Sequence, residues 1–188
     1  MPAYHFERAL FVVGEPNSGK STQLRSMFRD IRLGNDGAIP TAHNLTEVYR
    51  LSNERCLYLR ITSPHEANES LDPPHTPDEP TNFLDKTEGK INISFGVRWN
   101  FASPLQPNAH NHMPDLVDTT SAFVARFNPE RTRVVFLNPN RHGQYLQEAS
   151  QTAVLDRLRT IPSVEMCSID ARDRTANGLL LADFFDFT

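Results

Sequence analysis

Short apolar runs alternate along the chain with amphipathic stretches of helical period. Residues 9–13 (Ala9, Leu10, Phe11, Val12, Val13) form an unbroken apolar run of strand length, as expected of a strand covered on both faces in a mostly parallel sheet. Beyond a glycine-containing loop, Leu24, Met27, Phe28 and Ile31 recur at i, i+3, i+4 and i+7, one face of a helix. Residues 48–51 and 56–62 read as two strands joined by Ser52, Asn53, Glu54 and Arg55, a hairpin. Ile91, Ile93, Phe95, Val97, Trp99 and Phe101 alternate with polar or small residues and predict one long strand ending near Ser103, with a bulge or break at Gly96. Pro114, Asp115 and Asp118 suit a helix start, and Leu116, Thr120, Phe123 and Phe127 share a face of that helix before Pro129. A strand over 134–137, a helix over 144–159 with Val154, Leu158 and Ile161 on one side, a strand over 164–169 and an apolar helix over 176–187 complete the pattern.

This alternation, without internal repeats, predicts an α/β fold: a three-layer sandwich with a mostly parallel central sheet, where ligands collect at the carboxyl ends of the strands. Two segments stand outside it. Residues 34–45 are polar and read as a loop. Residues 63–80 hold five of the fourteen prolines (Pro64, Pro73, Pro74, Pro77, Pro80) with many acidic residues and almost no large apolar side chains, and predict a mobile surface loop.

At 188 residues, with 38% apolar and 22% charged, the chain has the size and composition of one domain over 1–188. A net charge of −4 supplies no general pull toward nucleic acid or an anionic membrane, so nucleic acid is not indicated as a partner. The apolar run near the N-terminus is too short for a signal peptide or a membrane span, and the expectation is a soluble cytoplasmic protein. Cys56 and Cys167 lie in apolar strand-like runs and are expected as buried thiols.

The candidate chemistry begins in the loop after the first strand, which reads Gly14, Glu15, Pro16, Asn17, Ser18, Gly19, Lys20, Ser21, followed by Thr22. It matches GxxxxGK[ST] in full and lies between a buried strand and an amphipathic helix, as such a loop must. Glycines let the backbone wrap an anion so closely that its N–H groups point inward. Lys20 would then reach the β and γ phosphates, the Ser21 hydroxyl would bind magnesium, and the helix would lend its positive end to the phosphates.

The segment ALFVVGEPNSGKST resembles the Walker A segment of the P-loop NTPase superfamily. The resemblance implies a bound nucleoside triphosphate, ATP or GTP, with Mg2+ as cofactor. Families of that superfamily carry a second acidic site, an Asp ending an apolar strand, that orders magnesium through water. The strand ends here read Ile61-Thr62-Ser63-Pro64-His65-Glu66, Asn100-Phe101-Ala102-Ser103-Pro104 and Phe136-Leu137-Asn138-Pro139-Asn140. Ser63, Ser103 or Glu66 are the candidates for the role. A neutral oxygen is a poorer partner for a hard cation than a carboxylate, which predicts weak hydrolysis.

The element order resembles that of small GTPases. That resemblance makes Thr41, after Pro40, the catalytic and magnesium-sensing switch threonine beside Lys20 and Ser21, and makes residues 63–80 a second switch. Asn138 and Arg141 fall where a guanine-reading pattern would lie and are nucleotide-binding candidates, but the lysine and aspartate of that pattern are missing. A second resemblance is to nucleoside and small-molecule kinases. There, Arg141, Arg172 and Arg174 would supply charge to the transferring phosphoryl group and the proline-rich loop would cover an acceptor. A third reading is a binding-only module whose nucleotide state is read by a protein partner. A weak NTP hydrolase acting as a switch is the leading expectation.

His110 and His112, with His65 and His75, have no cysteine or carboxylate at ligand spacing, so a zinc site is not expected. Neither cysteine has a base beside it in sequence, and thiol catalysis has no support.

Overall fold

β1 (His5–Val13) is the strand around which the rest is arranged: Ala9, Leu10, Phe11 and Val12 have no exposed surface. In a computed structural model that describes residues 4–34, 36–41, 45–76, 78–92, 97–146 and 148–187, β1 pairs in parallel on one side with β6 (Arg98–Leu105) and on the other with β7 (Arg131–Leu137). β2 (Thr46–Arg50) and β3 (Arg55–Arg60) form the expected antiparallel hairpin, and β8 (Val164–Ile169) closes the other edge. The sheet runs β2-β3-β6-β1-β7-β8, parallel except for β2, in a mixed α/β fold. A separate two-residue pair joins β4 (Glu69–Ser70) to β5 (Thr81–Asn82).

Successive β1 side chains point to opposite faces, and each face has its own apolar cluster. Ala9, Phe11 and Val13 pack with Phe101, with Phe83 and Ile91 of α2 (Phe83–Asn92), with Phe123 of α3 (Leu116–Phe127) and with Leu158 of α4 (Glu148–Arg159). Phe123 is the hub, stacked on Phe101 at 4.8 Å between ring centroids and edge-on to Phe11 at 5.2 Å. Leu10 and Val12 pack with Leu24 of α1 (Lys20–Ser26), with Met27 and Phe28, and with Leu181 and Ala182 of α5 (Gly178–Ala182). Helical residues thus cover both faces, an arrangement compatible with an α/β sandwich.

Several expectations are corrected. The helix after the loop is short: α1 ends at Ser26, a 3-10 turn spans Met27–Arg29, and Asp30 adopts an extended backbone and caps a second 3-10 turn at Ile31–Leu33. Ile31 therefore leaves the apolar stripe and is 72% exposed. The long alternating run is not one strand. Ile91 sits on α2, where Phe83, Thr87 and Ile91 form a buried i, i+4, i+8 stripe, and β6 starts only at Arg98; Gly96 lies outside the described residues. Residues 63–80 are not all surface loop, because Ser63, His65, Glu69 and Ser70 are buried. There the Arg60 guanidinium donates to Glu69 at 2.9 Å and Lys86 reaches the same carboxylate oxygen at 2.6 Å, so the buried charges neutralise one another. Residues 72–76, 78 and 79 are exposed.

Cys167 is exposed and Cys56 is partly exposed, since β8 and the hairpin occupy the rims of the sheet. The last helix is only Gly178–Ala182; Leu181, Phe184 and Phe185 are buried, while Leu179 and Leu180 face outward. Among the described residues no helix is long and apolar enough to cross a membrane.

α5 crosses α1 at backbone contact. A methyl group added at Gly178 would lie 2.0 Å from the Ser26 carbonyl oxygen, so the two backbones must part to accept any side chain. Gly178→Ala is expected to destabilise the fold by about 1–3 kcal/mol, the usual cost of overpacking, read as a lower urea midpoint at unchanged m-value.

Candidate functional site

β1 delivers the chain to the mouth of the loop. Gly14 N–H donates to the Leu105 carbonyl of β6 at 3.3 Å, so the loop begins while the chain is still tied to the sheet. Within it, Ser18 N–H donates to Glu15 O at 3.1 Å, and from outside Arg141 N–H donates to Ser18 O at 3.0 Å. Both loop glycines sit where a side chain is unfavourable. A Cβ on Gly14 would sit 2.4 Å from Ser18 Oγ, and Gly19 has φ +107° with its Cβ position 3.2 Å from the Arg141 Cβ. Asn17 holds φ +60°, which asparagine tolerates better than most residues.

Lys20 turns back over this loop. Its ammonium donates to Glu15 O at 2.8 Å and lies 3.8 Å from Glu66 Oε1, and its side chain is only 5% exposed. Burial pushes its pKa down, opposed by the charges of Glu66 and Glu15. The Ser21 and Thr22 hydroxyls are half-buried and have no hydrogen-bond partner among the described residues. The buried Ser18 hydroxyl has none either.

Glu66 reaches Lys20 because the turn that carries it is anchored. Ser63 O accepts from the N–H groups of Glu66 at 3.0 Å and Ala67 at 2.9 Å, and Pro64 O accepts from Glu69 N–H at 3.2 Å. His65 is fully buried, with Nε2 2.9 Å from Pro114 O and Nδ1 3.3 Å from Ser63 Oγ. A carbonyl can only accept, so Nε2 carries the proton and Nδ1 receives the Ser63 hydroxyl. Asn111 closes the anchor by donating to His65 O at 2.7 Å. Burial is the main force holding the His65 pKa down; the Pro114 bond opposes it, the Lys20 and His110 charges assist it, and Glu66 opposes it. The loop after β6 also reaches the glycine loop directly, Asn108 donating to the Glu15 carboxylate at 3.1 Å.

The strands flanking β1 offer no acid at their ends. Near the end of β6 lies the buried Ser103, whose hydroxyl turns to Pro104 O, and the first residue past the strand is the buried Gln106. After β7 comes Asn138, whose side-chain oxygen accepts from Leu146 N–H at 3.1 Å and ties down the 138–146 loop. Arg141 of that loop packs against Gly19 and is exposed. Arg172 is engaged by the Asp170 carboxylate beside it, and Arg174 is exposed. Thr41 is exposed and makes no hydrogen bond to the glycine loop among the described residues. Behind the loop, Gln23 donates to Asp173 O at 2.8 Å and accepts from Asn177 at 3.1 Å.

The structure thus brings Gly14, Glu15, Gly19, Lys20 and Arg141 together and adds Glu66 to them. The roles of Asn108, Asn111 and His65 were not visible in the sequence, since each depends on contact between distant loops. Among the described residues no group of three His, Cys, Asp or Glu side chains could hold a metal ion by itself. Comparison with protein-family models, with curated proteins and with solved structures finds no match to this chain.

The buried neutral His65 makes stability depend on pH. Its folded pKa lies below its unfolded value near 6.5, so between those values the unfolded chain binds the extra proton and stability falls as pH falls. Thermal midpoints from pH 7.5 to 5 are expected to drop with onset near pH 6.5, as set by that unfolded value, and His65→Gln is expected to flatten that slope. An equal slope in both proteins would refute this origin.

Proposed function

We propose that the chain is a P-loop nucleoside-triphosphate-binding domain that cleaves the β–γ phosphoanhydride slowly with Mg2+. The observation that carries the reading is the buried Lys20 ammonium, held over a loop where a Cβ at Gly14 would crowd Ser18 and Gly19 holds a positive φ, with Glu66 3.8 Å away. A desolvated cation with one backbone acceptor and one distant carboxylate is poorly compensated, and a triphosphate compensates it better. The Glu66 pair is no obstacle: with that carboxylate 45% exposed, the contribution is in the range of about 0–1 kcal/mol found for surface pairs.

In this reading the N–H groups of Glu15, Asn17 and Gly19, with the first N–H groups of α1, cradle the phosphates, Asn17 and Ser18 shape the turn after Pro16, the Gly14 and Ser18 N–H groups stay on Leu105 O and Glu15 O, and Lys20 holds the β and γ oxygens. Ser21 is the protein oxygen on the magnesium, with Thr22 beside it. The metal supplies charge neutralisation on the phosphate oxygens. Glu66 takes the place of the missing strand-end aspartate, ordering water near the γ-phosphate. Asn138 and Arg141 border the nucleotide from the neighbouring loop, and Thr41 joins only if its segment closes over the bound ligand. The sheet with helices on both faces would be the three-layer sandwich of the superfamily, working in the cytoplasm where triphosphates are abundant and open to a protein partner that reads its state. ATP and GTP remain equal candidates, as no side chain here selects a base.

Isothermal titration with MgATP and MgGTP tests the proposal. Lys20→Ala is expected to weaken binding about 10- to 150-fold, the loss of a charge-assisted bond of about 1.5–3 kcal/mol. Glu66→Gln is expected to retain binding and lower turnover about 100-fold or more, the scale of a lost general base. Equal, negligible binding by the natural chain and Lys20→Ala would sink the reading.

A further inference from the structure

The first residue past β6 carries an amide that nothing in the fold uses. Gln106 is 4% exposed, and its side chain makes no hydrogen bond among the described residues. Buried polar groups are nearly always hydrogen-bonded, so an amide without a partner points to one that comes from outside the chain.

Its position says which. Val13 pairs with Leu105, and Gly14 N–H still donates to Leu105 O, so Gln106 lies beside Gly14, about one strand spacing of 4.8 Å away. β6 runs between β1 and β3, and its end therefore stands between the glycine loop and the turn that carries Glu66. Leu105 packs in the Phe101 cluster. Side chains alternate along a strand, which directs Gln106 to the opposite face, where α1 begins at Lys20 and packs on β6.

The group suits that place. Lys20 can only donate and the Glu66 carboxylate can only accept, whereas an amide does both. The oxygens of a third phosphate are acceptors for the Gln106 N–H groups, and a water beside them is a donor for its carbonyl. The residues that follow Gln106 span the site. Asn108 donates to the Glu15 carboxylate, Asn111 donates to the His65 carbonyl, and Pro114 O accepts from His65. His110, Asn111 and His112 at the tip of this loop are exposed.

We propose that Gln106 binds the third phosphate, and that the loop over residues 106–114, rather than residues 63–80, changes with its presence. The proposal rests on the triphosphate-binding reading above and adds to it the group that tells a nucleoside triphosphate from a diphosphate.

Gln106→Met tests it, because methionine keeps the length of the side chain and removes both polar atoms. With no internal partner to lose, the variant is expected to unfold in urea at the natural midpoint or above it. Titration of the full chain with Mg2+ and either ADP or its non-hydrolysable triphosphate analogue, and with the guanine pair, is expected to show a split. Affinity for the triphosphate analogue falls tenfold or more, the loss of a hydrogen bond to a charged group, while affinity for the diphosphate changes less than twofold. Gln106→Glu, which sets a negative charge against the phosphate, is expected to lose more of the triphosphate affinity than Gln106→Met does. Amide hydrogen exchange over residues 108–113 is expected to be slower with the triphosphate analogue than with the diphosphate in the natural chain, and equal with both in Gln106→Met. A lowered urea midpoint, equal losses for both nucleotides, an unchanged triphosphate affinity or exchange blind to the third phosphate would each overturn the proposal and leave the triphosphate-binding reading standing. Failure of the natural chain to bind any of the four nucleotides would overturn both.

Discussion

Burial of β1 on both faces is the constraint from which the rest of the molecule follows. A strand with no exposed surface from Ala9 to Val12 must find hydrogen bonds on both edges and apolar cover on both sides. β6 and β7 supply the first, the Phe101 and Phe123 cluster and the α1 and α5 cluster the second. With the strand so fixed, the residues that follow it emerge at one defined point of the sheet, between the ends of β6 and β7. The glycine loop inherits its position from packing that has nothing to do with its own chemistry.

From that point outward, polar contacts hold the neighbouring loops against the glycine loop. The loop after β6 reaches it through Asn108 and reaches the Glu66 turn through Asn111 and Pro114. The loop after β7 reaches it through Arg141, and the segment after β8 holds α1 through Gln23. Lys20 is the residue whose environment is least settled by these contacts. Its burial works against its charge while the nearest carboxylate is half in water, so the loop is arranged around a cation that a polyanion would satisfy.

Much of the sheet could be read in the sequence because its strands are continuous apolar runs, and α3 because Asp115 caps a regular stripe. The clearest error comes from competition between periods. Ile91 fits a period of two with Ile93 and Phe95 and a helical period with Phe83 and Thr87, and the packing of Phe83 and Ile91 on the Phe101 face decided for the helix. Ile31 fitted the α1 stripe, but Asp30 offers its carboxylate to Arg32 and ends the helix first. In the site, Lys20 and the glycines were legible because their spacing is local. His65 and Asn111 were not, because a buried imidazole is recognised by its partners, here a hydroxyl two residues away and a carbonyl forty-nine residues on.

The proline-rich segment looked like a solvated loop because its composition cannot form a core, yet its first half is drawn inward by the Arg60 and Glu69 pair. Composition reports what a segment can bury by itself and is silent about what a neighbouring strand can bury for it.

The crossing of α5 over α1 has a mechanical meaning. At Gly178 and Ser26 the two backbones meet with no clearance, while Gln23 and Asn177 are joined one turn away. Two helices held at backbone contact and joined by a side-chain hydrogen bond resist sliding past one another, which makes α1 and α5 a common strut. The glycine loop is mounted on one end of that strut, and the outward-facing Leu179 and Leu180 ride on the other.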